Sequence, residues 1–473
     1  MSPLLILLIG VAVVVVMVLV LRANAFLALI CAALVVSLLA EGDWATKGER
    51  VAAALGDAVG KIGIVIAMAA IIGVCMMRSG AAEKIVMVFC RILGEKRFPV
   101  ALCGSGFVLS IPVFYDTVFF LLIPLARSFY RRVRKKYILC LMAICAGAMI
   151  THTMVPPTPG PLAIASNLGI EIGQMMLVGL LVGVLIFPFG LAGAYLIDWY
   201  MPNPKIHLPA GETASDLDTP SADEHQQFEQ REMQLPTLGW AMLPVVLPIL
   251  LIAFGSYVNM AFQGVDPDEM PVMAMFARIV GGKEIAMMLA AAMAMFVFFR
   301  QKIATADEMR KDIETALLDA GLIILITAAG GAFGAMLQLA GIGDTIKMMF
   351  QSGSGVAGVS VLMAAFCVAS VLKLSLGSST TAMLTASSII GAMGLTSETL
   401  GFNLAYLGLT ISCGSLITSW MNDSGFWLTS RMAGLSETDT LKSVTVLHII
   451  VGCSGFVIIL ILSQLLPLTH FGK

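Results

Sequence analysis

Two carboxylates, Asp116 and Asp423, and one lysine, Lys373, stand in otherwise apolar stretches of the chain. A charge in such surroundings is expensive and by default marks a functional site. The chemistry on offer is ion handling: a buried carboxyl group can load and release a proton, and an ammonium group can clamp a carboxylate. Plainer readings stand beside these. An acid at a helix break can cap backbone amides, and Lys373 can serve only to neutralise one of the acids. Among five histidines only His152 lies deep in an apolar run. Its reference pKa of about 6.5 suits a proton relay, although a hydrogen-bonded histidine can equally pin a break together. Groups that can bind a hydroxylated anion surround these charges: Ser110 and Tyr115 before Asp116, Thr158 after His152, Gly377, Ser378, Ser379 and Thr380 after Lys373, and Asn422 and Ser424 beside Asp423. Hydroxyls next to a turn often satisfy only backbone. The expected assignment is substrate binding by Ser110, Tyr115, His152, Thr158, Lys373, Gly377, Ser378, Ser379, Thr380, Asn422 and Ser424. Proton coupling is expected from Asp116, His152 and Asp423, with no metal and no cofactor.

Elements that could position such groups must lie in a bilayer. Of 473 residues 59% are hydrophobic and 12% charged, with mean hydropathy +0.94, whereas soluble domains carry about 25% charged residues. Segments such as Pro3 to Leu21, Ala25 to Ala40, Leu177 to Ile197 and Val444 to Leu466 approach or reach the ~20 residues that cross a hydrocarbon core. The chain reads as an all-α polytopic membrane protein. Its first segment lacks a basic flank and a small-residue cleavage site, so it is expected to remain as a span. A net charge of -2 points to no nucleic-acid partner. The nine cysteines lie in apolar runs without a C-x-x-C pair and read as small buried hydrophobes.

"THTMVPPTPGPLA" (Thr151 to Ala163) interrupts such a span with four prolines. Proline removes a backbone donor and clashes with the preceding turn, so the helix from Tyr137 is expected to break near His152 and resume near Leu162. "SWMNDSGF" (Ser419 to Phe426) is expected to break a second span. Two further stretches read as re-entrant hairpins, one at about 99–127 with "SIPVFYDT" at its tip, the other at about 356–393 with "LSLGSSTTA". Such backbone is tolerated at membrane depth only when buried in protein or lining a wet cavity.

The breaks and hairpins fall in matching order in two halves. The polar stretch Met201 to Pro236, with five prolines and seven acids against two bases, reads as a cytoplasmic linker at 201–236 between residues 1–200 and 237–473. "LGDAVGKIGIVIAMAAIIGVCMMRSGAAEKI" from Leu55 lies over "LLDAGLIILITAAGGAFGAMLQLAGIGDTI" from Leu317, with Asp57 on Asp319 and, after one gap, Gly73 on Gly334. "AGAMIT" (Ala146 to Thr151) lies over "CGSLIT" (Cys413 to Thr418), which sets the break at about 137–170 against that at about 403–430. The basic run "RSFYRRVRKK" (Arg127 to Lys136) belongs in the cytoplasm. Five crossings and one hairpin per half then place 20 of the 28 Lys and Arg inside and leave Lys61 and Lys373 in the membrane. An odd number of crossings makes the halves inverted repeats, an architecture of secondary transporters with a midplane site. Helix N-termini exposed at that midplane favour an anion.

"FYDTVFFLLIPLA", "HTMVPPTPGPLA", "KLSLGSSTTA" and "NDSGFW" together resemble the gluconate permease family of the ion transporter superfamily. The chain departs from the family pattern at Thr158, where a second histidine is usual, at Asp116, where several members have Glu, and at Lys373, where arginine is usual. The resemblance implies proton symport of gluconate or a related hydroxy acid, with a hairpin-bearing domain sliding against a scaffold in an inner-membrane homodimer. The implied partners are a small organic anion, a coupling proton and membrane lipid. The alternative is a sodium- or proton-coupled carrier of another small anion or amino acid, such as glycerate or D-serine. An enzyme is not expected: there is no H-E-x-x-H, "CGSGF" lacks the G-x-S-x-G spacing, and "GDAVGKI" is one residue short of a phosphate loop. Accumulation against a gradient would separate a carrier from a channel.

Overall fold

The computed structural model of the chain describes residues 2–133, 136–201, 235–262, 270–301, 305–342 and 357–469. Most of the expected linker, the residues 134 and 135 of the basic run, and the start of the second hairpin at residue 356 lie outside them. Among the described residues all regular structure is helical. The first half contains α1 (Pro3–Val15), α2 (Ala25–Leu39), α3 (Lys47–Arg78), α4 (Ala81–Leu93), α5 (Phe98–Leu109), α6 (Tyr115–Val133), α7 (Tyr137–Met154), α8 (Pro159–Leu168) and α9 (Ile172–Tyr200). The second contains α10 (Leu238–Ala261), α11 (Val272–Val280), α12 (Lys283–Arg300), α13 (Ala306–Leu339), α14 (Ala357–Leu376), α15 (Ser379–Gly391), α16 (Leu404–Gly414), α17 (Ser424–Ala433) and α18 (Val446–Leu465), besides two four-residue helices.

Among the described residues seven helical segments can cross a membrane by length and composition, or eight if α11 and α12, bent by 66°, form one span. One of these spans is α14, an arm of the second expected hairpin, and the ten crossings expected are not reached because α1, α2 and α16 fall among shorter apolar helices. α5 has 12 residues, about 18 Å of helix, too short for a hydrocarbon core of about 30 Å.

Two sets of helices pack among themselves. α3 and α13, of 32 and 34 residues, lie against each other, with α2 and α12 alongside and α10 beyond α12. The start of α13 is fixed by a capping box: the Thr305 hydroxyl accepts from Glu308 N at 3.3 Å, and the Glu308 carboxylate accepts from Thr305 N at 2.8 Å. In the other set α7 lies between α5 and α9, α14 packs on α16, and α18 on α9. The sets meet where α13 touches α15 and α8 and where α10 touches α9 and α4.

The span α7–α8 is the best-buried membrane segment, 94% against 33% for α10. Small residues allow its neighbours to approach. A Cβ on Gly147 would stand 1.9 Å from Cys103 O in α5, and one on Gly179 in α9 would stand 2.3 Å from Met154 O, so neither position accepts alanine.

Candidate functional site

Both expected breaks are present, with shifted edges. α7 runs through His152 to Met154, and α8 begins at Pro159 rather than Leu162. The reason is stereochemical: Pro156 excludes the helical conformation only from the residue before it, and Val155 is extended. Proline also suits the first turn of a helix, so Pro159 and Pro161 start α8 instead of preventing it. In the second half α16 stops at Gly414, residues 415–423 are non-helical, and Phe426 already lies in α17. Thr418, at φ +60°, turns the chain there.

The second tip is closed by its own bonds. The Lys373 ammonium donates to Asp423 Oδ2 at 2.6 Å and to Gly377 O at 2.5 Å. Ser419 Oγ donates to the same carboxylate oxygen at 2.5 Å, and Gly425 N donates to Oδ1 at 3.0 Å, so that Asp423 caps α17. Asn422 Nδ2 donates to Leu374 O at 2.8 Å. Gly377 has φ +77°, and a Cβ there would lie 2.1 Å from Asn422 O. Both plain readings of these charges are therefore realised: Asp423 caps a helix and Lys373, fully buried, neutralises it. Buried charges have to be paired in this way.

The first tip is open. α5 ends at Leu109, the chain turns through Ser110–Phe114, and α6 starts at Tyr115. Tyr115 OH donates to Cys145 Sγ at 3.3 Å and lies 3.3 Å from Thr429 Oγ1. Asp116 is exposed and makes no hydrogen bond or ion pair among the described residues. Two buried atoms nearby have no partner among the described residues, Ser110 Oγ and His152 Nδ1. The His152 ring stands edge-on to Phe114, 6.4 Å between centroids. Thr151 Oγ1 donates to Phe107 O at 2.8 Å, tying this break to α5, and Thr158 Oγ1 donates to Val155 O at 2.7 Å within the break.

A cavity of about 750 Å³ joins the two tips. Its floor takes Phe114, Tyr115, Asp116 and Thr117 from the first tip, His152 and Pro159 from the first break, and Ser378, Thr380 and Thr381 from the second tip. The N-terminal ends of α6, α8 and α15 thus face one space, and such ends favour negative charge. Ser378 Oγ accepts from Thr381 N at 3.3 Å. The remaining N–H groups of that first turn are left without helical acceptors.

Of the expected site residues, Tyr115, Asp116, His152, Ser378 and Thr380 line this cavity. Ser110, Thr158, Lys373, Gly377, Ser379, Asn422, Asp423 and Ser424 do not. The cavity walls were not nominated by sequence. They are Ala70, Gly73, Val74, Met77 and Arg78 on α3, and Asp312, Thr315, Ala316, Asp319, Ile323, Ile326 and Thr327 on α13. Arg78 pairs with Asp312 at 2.6 Å across the rim. The spacing i, i+3, i+4, i+7 on both helices marks one continuous face, and Asp319 already stood out in the repeat alignment. No group of three or more His, Cys, Asp or Glu side chains comes together among the described residues.

Comparison with known proteins agrees with a transport role. The chain is 31% identical over 437 residues to an uncharacterized permease of Haemophilus influenzae, covering 92% of this chain and 86% of that one. It is 27% identical over 461 residues to a gluconate permease of Bacillus subtilis, covering 98% and 99%. In fold it is similar to Neisseria gonorrhoeae MtrF, described as illuminating a class of antimetabolite efflux pumps, at TM-score 0.60 with 14% identity over 92% of this chain and 94% of that one. The GntP family permease profile matches residues 2–466. The chain belongs to the GntP family of permeases, membrane transporters rather than enzymes.

Proposed function

We propose that the protein is a secondary active transporter of the bacterial inner membrane that imports gluconate or a related small hydroxylated carboxylate together with protons. The observation that carries this reading is the cavity at the meeting point of three helix N-termini, with the Ser378 and Thr380 hydroxyls on one side and the unpaired Asp116 on the other. The helix ends and hydroxyls bind the carboxylate and the polyol. Asp116 carries the proton, since Asp423, the other intramembrane acid considered, is already held by Lys373. With the basic run of Arg127 to Lys136 in the cytoplasm, the Arg78–Asp312 rim lies on the same side, and the cavity is an inward-facing vestibule. The two tips enter from opposite sides as re-entrant hairpins of inverted repeats. The division into an α3–α13 set and a set bearing both tips and both breaks supports sliding of the second against the first, an elevator-type motion.

Purified protein in liposomes tests the reading. An imposed inward proton gradient is expected to drive accumulation of radiolabelled gluconate. Accumulation driven instead by sodium, or confined to glycerate or D-serine, would replace the coupling ion or the cargo. Equilibration without accumulation would replace the carrier by a channel.

A further inference from the structure

A second polar cavity, about 160 Å³, lies between the same two long helices at their other end. It is lined by Ala54, Asp57, Ala58 and Lys61 of α3, by Gly331, Gly334, Ala335 and Gln338 of α13, and by Ser166, Asn167 and Ser388 from the ends of α8 and α15. In the register that lays Gly73 on Gly334, the vestibule residues Ala70, Gly73, Val74 and Met77 fall on Gly331, Gly334, Ala335 and Gln338. Where Asp57 lies on Asp319, Ala54 and Lys61 fall on Ala316 and Ile323. The two cavities therefore use the same helix faces with α3 and α13 exchanged. They end one helical turn apart on α13, at Thr327 and Gly331, about 6 Å of helix.

Closure distinguishes them. A Cβ on Gly73 would find nothing nearer than Pro112 O at 3.7 Å, whereas one on Gly334 would lie 3.0 Å from Ser388 Cβ and one on Gly331 2.8 Å from Ala58 Cβ. Hydrogen bonds hold the walls of the smaller cavity together. Asn167 Nδ2 donates to Ser387 Oγ at 2.8 Å and to Ser388 Oγ at 3.1 Å, Ser388 Oγ donates to Gly330 O at 2.6 Å, and Gln338 Nε2 donates to Gly391 O at 3.1 Å. These bonds join α8, α13 and α15, which lie on one of the seams between the two sets of the fold.

We infer that the smaller cavity is the outer port of the transport path, contracted in this conformation, and that the Asn167, Ser388 and Gln338 bonds are the latch that keeps it contracted. Asp57 and Lys61, one helical turn apart on α3, place one charge of each sign in its wall. Sliding of α8 and α15 along α13 that opens this port draws the tips toward it and closes the vestibule, so the two openings are reciprocal. The inference rests on the inward-facing orientation proposed above but not on the identity of the cargo.

Its test places single cysteines at the register mates Val74→Cys, in the vestibule, and Ala335→Cys, in the port. An impermeant thiol reagent is applied to inside-out vesicles and to right-side-out spheroplasts respectively, without substrate, and site occupancy is read by mass spectrometry. Adding Asn167→Ala, which removes two bonds, or Gly334→Ala, which wedges α13 from α15, is expected to speed external labelling of Ala335→Cys several-fold and slow internal labelling of Val74→Cys. Rates unchanged in both latch variants, or raised at both cysteines, would overturn the port. Two chemically different latch variants guard against misfolding of either. Gluconate uptake measured on the same variants separates the two claims: reciprocal labelling without gluconate uptake leaves the port and removes the cargo, and uptake without reciprocity does the opposite.

Discussion

At the tip between α14 and α15 the lysine and the acid satisfy each other, with Ser419, Gly425 N and Gly377 O completing their bonds. At the tip between α5 and α6 the Asp116 carboxylate, Ser110 Oγ and His152 Nδ1 have no partner among the described residues. Both tips lie at interruptions of apolar helices, yet one is a closed network and the other an open one. Closed buried networks specify a rigid geometry. Unpaired polar groups beside a cavity are the exceptions that call for a ligand or a proton. The second half thus supplies the paired groups and the first half the unpaired ones, although α15 contributes its N-terminus to the shared floor.

The strongest challenge to that contrast is Lys373→Ala. It strands a buried carboxylate, and losing one partner of a buried pair costs about 3–5 kcal/mol. A sharp fall in thermal stability in detergent is expected, with most of it restored in the Lys373→Met, Asp423→Asn double variant. If Lys373→Ala keeps parental stability and loses only substrate affinity, Lys373 is a ligand and the tips do not differ as described.

Gly377→Ala comes next, because φ +77° and the approach of Asn422 O both oppose a side chain. Backbone strain alone contributes about 1–3 kcal/mol. A lowered melting temperature and weakened uptake are expected, whereas Gly73→Ala, facing the open tip with nothing nearer than 3.7 Å to its Cβ, should leave the melting temperature close to the parent. Equal tolerance at both glycines would erase the rigidity contrast.

Asp116→Asn removes a charge without removing volume or a hydrogen bond, so stability should change by no more than about 0.5 kcal/mol. Proton-driven accumulation in liposomes should vanish while counterflow exchange persists. Normal accumulation would transfer coupling to His152 or Asp423.

Ser110→Ala should have the smallest effect on uptake. Removing an unpartnered buried hydroxyl leaves stability unchanged or raised by about 1 kcal/mol. A loss of gluconate affinity at unchanged melting temperature would make Ser110 a substrate contact, and a fall in melting temperature would show that its hydroxyl has a structural bond.

What was legible in sequence follows from range. The breaks were visible because proline acts on its own neighbourhood, but their edges were not, since the same residue that ends a helix can begin one, and Pro159 does so. Asp116 and the hydroxyls of Ser378 and Thr380 stood out because polarity in an apolar run is a local signal. The Lys373–Asp423 pair joins residues fifty positions apart, and no local pattern distinguishes that pairing from a lysine left free for a ligand. The vestibule walls were hidden differently. Asp312, Thr315 and Asp319 look like the solvated start of a long helix, and only their alignment with the small residues of α3 shows that they face a shared space.

The prolines that open the first break have one more effect. Positions one and three of α8 are Pro159 and Pro161, so this end brings the positive pole of a helix to the vestibule while lacking two of the N–H groups that would otherwise need an acceptor. A carrier has to make its return stroke unloaded. A floor crowded with donors that only cargo can satisfy would resist standing vacant, and the reset would become the slow step of each cycle. On the proposed import cycle, an end that attracts charge through its field, with few donors left waiting, would hold an anion on the way in and travel back without one.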